Sequence, residues 1–364
     1  MIQGKERDVL SDAARSTGTA GCGPAVKSKE IPVSSKLSWR KVATATALVP
    51  LIGLAACSSE GGRAPEPDAE GGGGAAVSTP EIDIALITHA APGDTFWDIV
   101  RKGAEEAAAK DNVSLQYLSD PDGGRQAQLI EQAIDQGVDG IAVTLAKPDA
   151  MASALKKATD AGIPIVSLNA GEDRFKDLGA FTHFGSNEKL AGEALGERLA
   201  DDGFSQPVCV IQEQGHVGLE NRCAGVKDKV PGTEILYVQG TDMTQVASTV
   251  TAKLQATAGV DVIIGLGAPF TLTILNAVET TGSDAKVASF DMNPEMAQKI
   301  VDGEVILTVD QQPWLQGYGA IDAIWQNHRG GFELGGGQPV LTGPTIIDSE
   351  NAADVLDFAA EGLR

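Results

Sequence analysis

From residue 81 onward, short β-branched runs alternate with amphipathic stretches, and this alternation restricts the possible folds more than any other feature of the chain. EIDIALI is followed by FWDIVRKGAEEAAAK, VSLQYLS by GRQAQLIEQAIDQG, GIAVTL by DAMASALKKATDAG, and IPIVSL by a loop. A second series starts after HFGSN. It runs helix EKLAGEALGERLAD, strand PVCVIQ, helix LENRCAGVKDKV, strand EILYVQG, helix TQVASTVTAKLQATA, strand VDVIIGL, helix FTLTILNAVETTG, strand KVASFD, helix PEMAQKIVDG and strand VILTVDQ. Short apolar runs without polar alternation are strands buried on both faces, and the longer segments carry helical periodicity. Such alternation requires right-handed crossovers and a parallel sheet covered by helices on both faces. Two series predict an α/β chain with two doubly wound parallel-sheet lobes.

Ligands of parallel sheets bind outside the carboxyl ends of the strands, so the residues just after each strand are the candidate site. The first strand is followed by Thr88, His89, Asp94, Phe96 and Trp97, and the fourth by Asn169. Glu213, Gln214 and Asp291 follow strands of the second series, Gln311 follows its last strand, and Arg222 is the single guanidinium nearby. Amides, carboxylates and aromatic faces together suit a neutral polyhydroxylated ligand. Hydroxyls donate to carboxylates and accept from Asn, Gln or Arg, while C–H faces lie on aromatic rings. With aromatic residues at only 4% of the chain, the adjacent pair Phe96 and Trp97 in the turn HAAPGDTFWD stands out. Adjacent residues on a helix point about 100° apart, so both reach a cleft only at a helix start. The alternative for either ring is a staple packed into the core, for Arg222 a surface salt bridge, and for Asp291 a contact at a helix N-terminus.

A formal charge of -22 argues against nucleic acid, whose binding depends on clustered Lys and Arg. Residues 1–56 read as a leader and secretory signal: Lys36, Arg40 and Lys41 precede VATATALVPLIGLAA, a largely apolar run of 15 residues, where a membrane span needs ~20. Translation from Val26 or Val33 would account for the long polar leader. Leu54-Ala55-Ala56-Cys57 resembles the lipobox of bacterial lipoproteins, which makes Cys57 the lipidated residue and the product extracytoplasmic, anchored to the cell membrane. Residues 57–80 are Gly-rich and acidic and are expected to form a flexible tether. Cys22 lies in the leader, which leaves Cys209 and Cys223 in an oxidising compartment where a disulfide is expected. Two buried free thiols are the alternative, and metal binding by the pair lacks a CxxC or HxxxH spacing. The histidines, at 89, 183, 216 and 328, share no helical spacing, so no metal site is expected. His328 is expected on the surface near a helix C-terminus. GLGAP at Gly265 lacks the three-glycine dinucleotide pattern, and no cofactor is expected.

Six pieces in order carry a resemblance over about residue 81 to the C-terminus: the Asp-Thr-Phe-Trp turn, IPIVSLN, HFGSNEKLAGEALGE, ENRCAG, VASFDMNP and VDQQPWLQG. With them the chain resembles the type I periplasmic sugar-binding proteins, the solute-binding components of ABC importers. The resemblance implies lobes of residues 81–185 plus 313–341 and 186–312 plus 342–364, joined by three hinge crossovers near 183–187, 311–313 and 341–345. It implies ring contacts from Phe96 and Trp97, polar contacts from Asp94, Asn169, Arg222 and Asp291, a hinge glutamine at Gln311, and Met243 where an aromatic often lines the pocket. Ala170, Leu145 and Gly267 stand where the family has an arginine and two asparagines, which points away from ribose toward a sugar alcohol or another pentose or hexose. Glu213, His89 or His216 are candidate substitutes. The expected function is capture of a sugar or polyol by lobe closure and delivery to an ABC permease, by a monomer. A sugar-sensing receptor component on the same scaffold is the alternative. An enzyme needs a nucleophile with a nearby base or closely set carboxylates, and neither is visible as a local motif. A transcription regulator needs a basic helix-turn-helix where this chain has its lipobox and acidic tether.

Overall fold

The computed structural model describes residues 79–364. The expected signal, the Cys57 lipidation site and nearly all of the expected tether lie outside the described residues. The first sheet contains β1 (Ile82–Thr88), β2 (Val113–Ser119), β3 (Gly140–Thr144), β4 (Ile165–Asn169), β5 (Ala180–Ser186) and β11 (Val340–Gly343), in the order β11-β5-β4-β3-β1-β2. All its neighbouring strands are parallel. The second contains β6 (Pro207–Ile211), β7 (Glu234–Tyr237), β8 (Val262–Gly265), β9 (Lys286–Phe290), β10 (Leu307–Asp310) and β12 (Thr345–Asp348), in the order β12-β10-β9-β8-β6-β7. Position by position the two orders correspond, so β9 is the counterpart of β4.

Unbroken apolar strands arise because both faces of each sheet are covered. Ile84 and Leu86 of β1 pack with residues of α1 (Phe96–Asp111) and α9 (Pro313–Gly330). Ala85 and Ile87, between them in sequence, pack on the other face with α2 (Gly123–Gln136) and α3 (Pro148–Asp160). In the second lobe Val208 and Val210 of β6 face α6 (Met243–Ala256), α7 (Ala268–Thr281), α8 (Pro294–Val301) and α10 (Ala352–Ala360). Cys209 and Ile211 face α4 (Glu188–Asp201) and α5 (Val217–Lys229).

β5, β11 and β12 overlap the expected crossovers near 183–187 and 341–345, where the sequence pattern predicts no strand. Thr182, His183 and Ser186 interrupt the apolar run of β5, yet all three are buried, and His183 Nδ1 lies 2.9 Å from Ser167 Oγ on β4. β12 pairs with β10 antiparallel, a departure from a wholly parallel second sheet. The carboxyl ends of the two sheets face each other, so a chain passing straight from β11 through Pro344 into β12 enters the second lobe against its strands.

α2, α4, α6 and α8 start where short polar side chains cap them. Asp122, Asn187, Asp242 and Asn293 each accept from a backbone N–H three residues on, at 2.8–3.1 Å. α4 and α5 approach closely because glycines face backbone. A Cβ on Gly192 would lie 2.1 Å from Arg222 O, and one on Gly225 2.3 Å from Lys189 O. Cys209 of β6 and Cys223 of α5 form a disulfide, tying the same helix to the sheet. His328 is exposed in the last turn of α9. Among the described residues no helix is long and apolar enough to cross a membrane.

Candidate ligand-binding site

Between the carboxyl ends of the two sheets lies a cleft of about 630 Å³. Asn169 closes β4 and Asp291 follows its counterpart β9, and both take the left-handed conformation, with φ of 66° and 64°. Asn and Asp tolerate this region better than other side chains, and such positions collect at functional sites. Gln311, at the crossover after β10, joins them. Its Nε2 donates to Asp291 Oδ1 at 2.5 Å, and its Oε1 accepts from Asn169 Nδ2 at 3.2 Å. Gln316 on α9 supports the chain of amides, donating from Nε2 to Gln311 Oε1 at 2.9 Å.

Arg222 is buried in the floor of the second lobe, and its 4% exposure sets aside the alternative of a surface salt bridge. Glu188, the first residue of α4, accepts both from Nε at 2.5 Å and from Nη2 at 3.0 Å. The fork leaves Nη1 directed at Leu266 O, 3.3 Å away, and at Asp291 Oδ2, 3.7 Å away. The guanidinium also lies over the Phe290 ring, 4.7 Å from its centre. A bidentate pair of this kind fixes orientation as well as charge. Burial pushes the Asp291 carboxyl up to about 7 although Arg222 opposes the shift. It is therefore poised between accepting and donating toward a hydroxyl.

The opposite wall comes from the first lobe. Asp94 Oδ1 accepts from Phe96 N at 3.2 Å, and loss of solvent pushes its carboxyl up to about 6. Phe96 and Trp97 meet edge to face at 5.0 Å. Both line the cleft and both belong to the core cluster beneath it, so the wall and the core share these rings. His89, also on this wall, sits at the edge of Trp97.

The lobes touch across the cleft mouth. His89 Nε2 lies 3.0 Å from His216 Nε2, Lys147 Nζ lies 2.7 Å from Glu213 Oε1, and Val217 N donates to Ala146 O at 3.1 Å. Sequence spacing gives no sign that His89 and His216 meet, because 127 residues separate them and only the facing of the two lobes joins them.

The family model described as the periplasmic binding protein domain matches residues 84–331, well over half of the chain. The chain belongs to the periplasmic binding proteins. A carbohydrate transporter from Acidothermus cellulolyticus 11B, solved in complex with myo-inositol, is 47% identical, with a TM-score of 0.77, covering 78% of this chain and 100% of its own. The ribose import binding protein of Bacillus subtilis is 23% identical over 291 residues, 78% of this chain and 92% of that protein. The xylose/arabinose-binding protein of Sulfolobus acidocaldarius is 24% identical over 259 residues, 66% of this chain and 64% of that protein. The two facing lobes of parallel sheet are those of a type I periplasmic binding protein.

In this binding protein the strand-tip residues His89, Asp94, Phe96, Trp97, Asn169, Glu213, Arg222, Asp291 and Gln311 share one cleft. Met243 does not join them. It opens α6, is 37% exposed, and its sulfur accepts from Thr273 Oγ1 at 3.6 Å. Tyr237 and Phe270 line this side of the cleft instead. Tyr237 ends β7 and Phe270 lies in the first turn of α7 after β8, so the strand-tip rule, extended to the first turn of each following helix as for Phe96 and Trp97, finds both. Glu188 had no such signal, since an acidic residue in the first turn of a helix is favoured there for local reasons alone. Leu145 and Ala170 are buried apolar residues, so nothing polar replaces the family's side chains at those two positions.

Proposed function

We propose that this periplasmic binding protein captures a cyclic polyol of the myo-inositol kind by closing its lobes on it. The closed complex, a monomer held at the cell membrane by a lipid on Cys57, is handed to an ABC permease. The observation that carries the ligand class is the relative solved with myo-inositol, which is 47% identical and covered over its whole length. The site chemistry agrees. Asp94 and Asp291 accept from hydroxyls, Asn169, Gln311 and Arg222 donate to them, and Phe96 and Trp97 offer flat faces to ring C–H groups. A cleft of about 630 Å³ falls within the usual range for small-molecule sites. Micromolar affinity needs about 8 kcal/mol, which several hydrogen bonds to charged groups at about 1.5–3 kcal/mol each supply after the cost of ordering. The named relatives are transport and import binding proteins, which supports a receptor that makes and breaks no bond. The LAAC stretch behind an apolar run supports the lipid anchor.

Thermal unfolding of the purified protein with a panel of cyclitols, pentoses, hexoses and linear polyols tests the reading. Saturating myo-inositol is expected to raise the melting temperature most, since a ligand at 100 times its Kd adds about 2.7 kcal/mol. A larger shift with ribose or xylose, or none with any cyclitol, overturns it.

A further inference from the structure

His89 and His216 line the cleft beside the groups assigned to the polyol, and they also meet each other. Each ring is 6% exposed, they come from opposite lobes, and they meet through Nε2 at 3.0 Å. Their other nitrogens decide where the protons sit. His216 Nδ1 caps α5 and accepts from the Gly218 and Leu219 N–H groups at 3.1 and 3.3 Å. An acceptor nitrogen carries no proton, so neutral His216 carries its proton on Nε2 and donates it to His89 Nε2. His89 is then protonated on Nδ1, 2.7 Å from Thr144 Oγ1, which Gln126 Nε2 also reaches at 3.0 Å. One unbroken chain of donors runs from the start of α5 in one lobe to β3 in the other.

We propose that these two histidines are a proton-dependent latch: the lobes close over the ligand only when both imidazoles are neutral and of opposite tautomer, and they release it as the pH falls. The proposal rests on capture by lobe closure, as set out above. A proton added to either acceptor nitrogen breaks the chain. On His89 Nε2 it sets two N–H groups against each other, and on His216 Nδ1 it removes the cap of α5.

The surroundings agree in sign. Lys147 at the start of α3 disfavours a second positive charge on both rings, and Arg222 of α5 disfavours it on His216. Burial is the largest cause for each, pushing His89 down to about 3 and His216 well below its ordinary value. Glu213, from the loop before α5, has a carboxylate oxygen within 4.8 Å of a nitrogen of each ring, but it is paired with Lys147 at 2.7 Å. Trp97 of α1 covers His89 with its ring edge, and Asp94 stands beyond it at the start of α1. In open lobes the rings face water and return toward about 6.5. The closing contribution is therefore complete above about pH 6.5 and lost below it.

A metal ion is the competing occupant, since one ligand atom each from His89, Glu213 and His216 lies within 4.8 Å of the others. The backbone donors on His216 Nδ1 argue against it, because they leave Nε2 protonated and without a free lone pair.

The test is calorimetric titration with myo-inositol from pH 7.5 to 5.5, with and without EDTA, on the wild type and on a double variant. His89→Gln keeps a neutral hydrogen-bonding group at the latch, and His216→Asn keeps a cap on α5. The reading is the difference in pH slope between the two proteins, because Asp94 and Asp291, pushed up to about 6 and about 7, take up protons on closing in the same window. Relative to the variant, the wild type is expected to lose about tenfold in affinity for each ring that protonates on opening. Equal slopes overturn the latch, and so does wild-type affinity that collapses on EDTA at pH 7.5. If myo-inositol binds at no pH, the ligand reading fails, and imidazole 15N shifts of the ligand-free protein then decide the latch. Opposite neutral tautomers at pH 7.5 that give way to protonated rings near 6.5, with a radius of gyration that grows in the wild type and not in the double variant, sustain it, and rings that gain protons with no change in radius relative to the variant overturn it.

Discussion

Asp291 shows what a buried binding residue costs. Its carboxyl is pushed up from 3.8 to about 7 because burial outweighs the attraction of Arg222. The unfolded chain gives up this proton near pH 4, while the folded protein keeps it until about 7. The folded state thus binds more protons in that window, and stability falls as the pH rises through it. Asp291→Asn removes the ionisation and keeps the shape. The ligand-free variant is expected to melt a few degrees higher than the wild type at pH 8, where about 1 kcal/mol moves the melting temperature of a body this size by about 2–4 °C. At pH 4 the gain disappears. Its affinity for a polyol is expected to drop by about tenfold or more, the worth of one hydrogen bond to a charged acceptor. Scanning calorimetry and titration check both halves, and a variant that is less stable at pH 8 contradicts the account. At this scale the strand tips disclose Asn169 and Asp291, because a polar residue directly after an apolar run is conspicuous. They do not disclose Glu188, whose role exists only because α4 lies against α5.

That helix pair is the element that sets Arg222. Gly192 and Gly225 let the two backbones approach, the Cys209–Cys223 disulfide ties α5 to β6, and Glu188 then reaches the guanidinium with both oxygens. An added methyl at Gly192 meets the carbonyl of Arg222 itself, and backbone cannot swing aside as a side chain can. Gly192→Ala is expected to destabilise by about 1–3 kcal/mol, the usual cost of overpacking, and to weaken polyol binding as well, because α5 must shift. Chemical denaturation and ligand titration measure the two effects. Lost stability with unchanged affinity would show that the helix contact does not position Arg222. Among elements, β3, β4, β6 and β8 are plain in the sequence as apolar runs buried on both faces. β5, β11 and β12 are not, since they are short or carry buried polar residues, and pairing with a neighbour rather than composition makes them strands.

At the scale of the whole molecule, two sheets present their carboxyl ends to each other, and contacts at the floor and at the mouth join the lobes around one cleft. Asn169, Gln311 and Asp291 link the lobes at the floor, and His89 with His216 and Lys147 with Glu213 link them at the mouth. A ligand that touches both walls binds the closed arrangement better than any open one and shifts the population toward it. Small-angle scattering is expected to show a smaller radius of gyration with myo-inositol at saturation than without it. An unchanged radius, with binding confirmed by titration, would remove closure from the mechanism. The charge of -22 on the full chain bears on solubility and leaves this motion to the local contacts.

Periodicity determined the secondary structure and, through the handedness of crossovers, the two doubly wound lobes, because a strand buried on both faces leaves no polar positions to hide its nature. The same rule located most of the cleft, since parallel sheets bind at their carboxyl ends. The tertiary structure alone decided which distant residues meet: Glu188 with Arg222, His89 with His216, Lys147 with Glu213, and Phe270 and Tyr237 in place of Met243. Those pairings depend on how two lobes face each other and how two helices approach. The linear sequence encodes such distances only through the packing of every residue between.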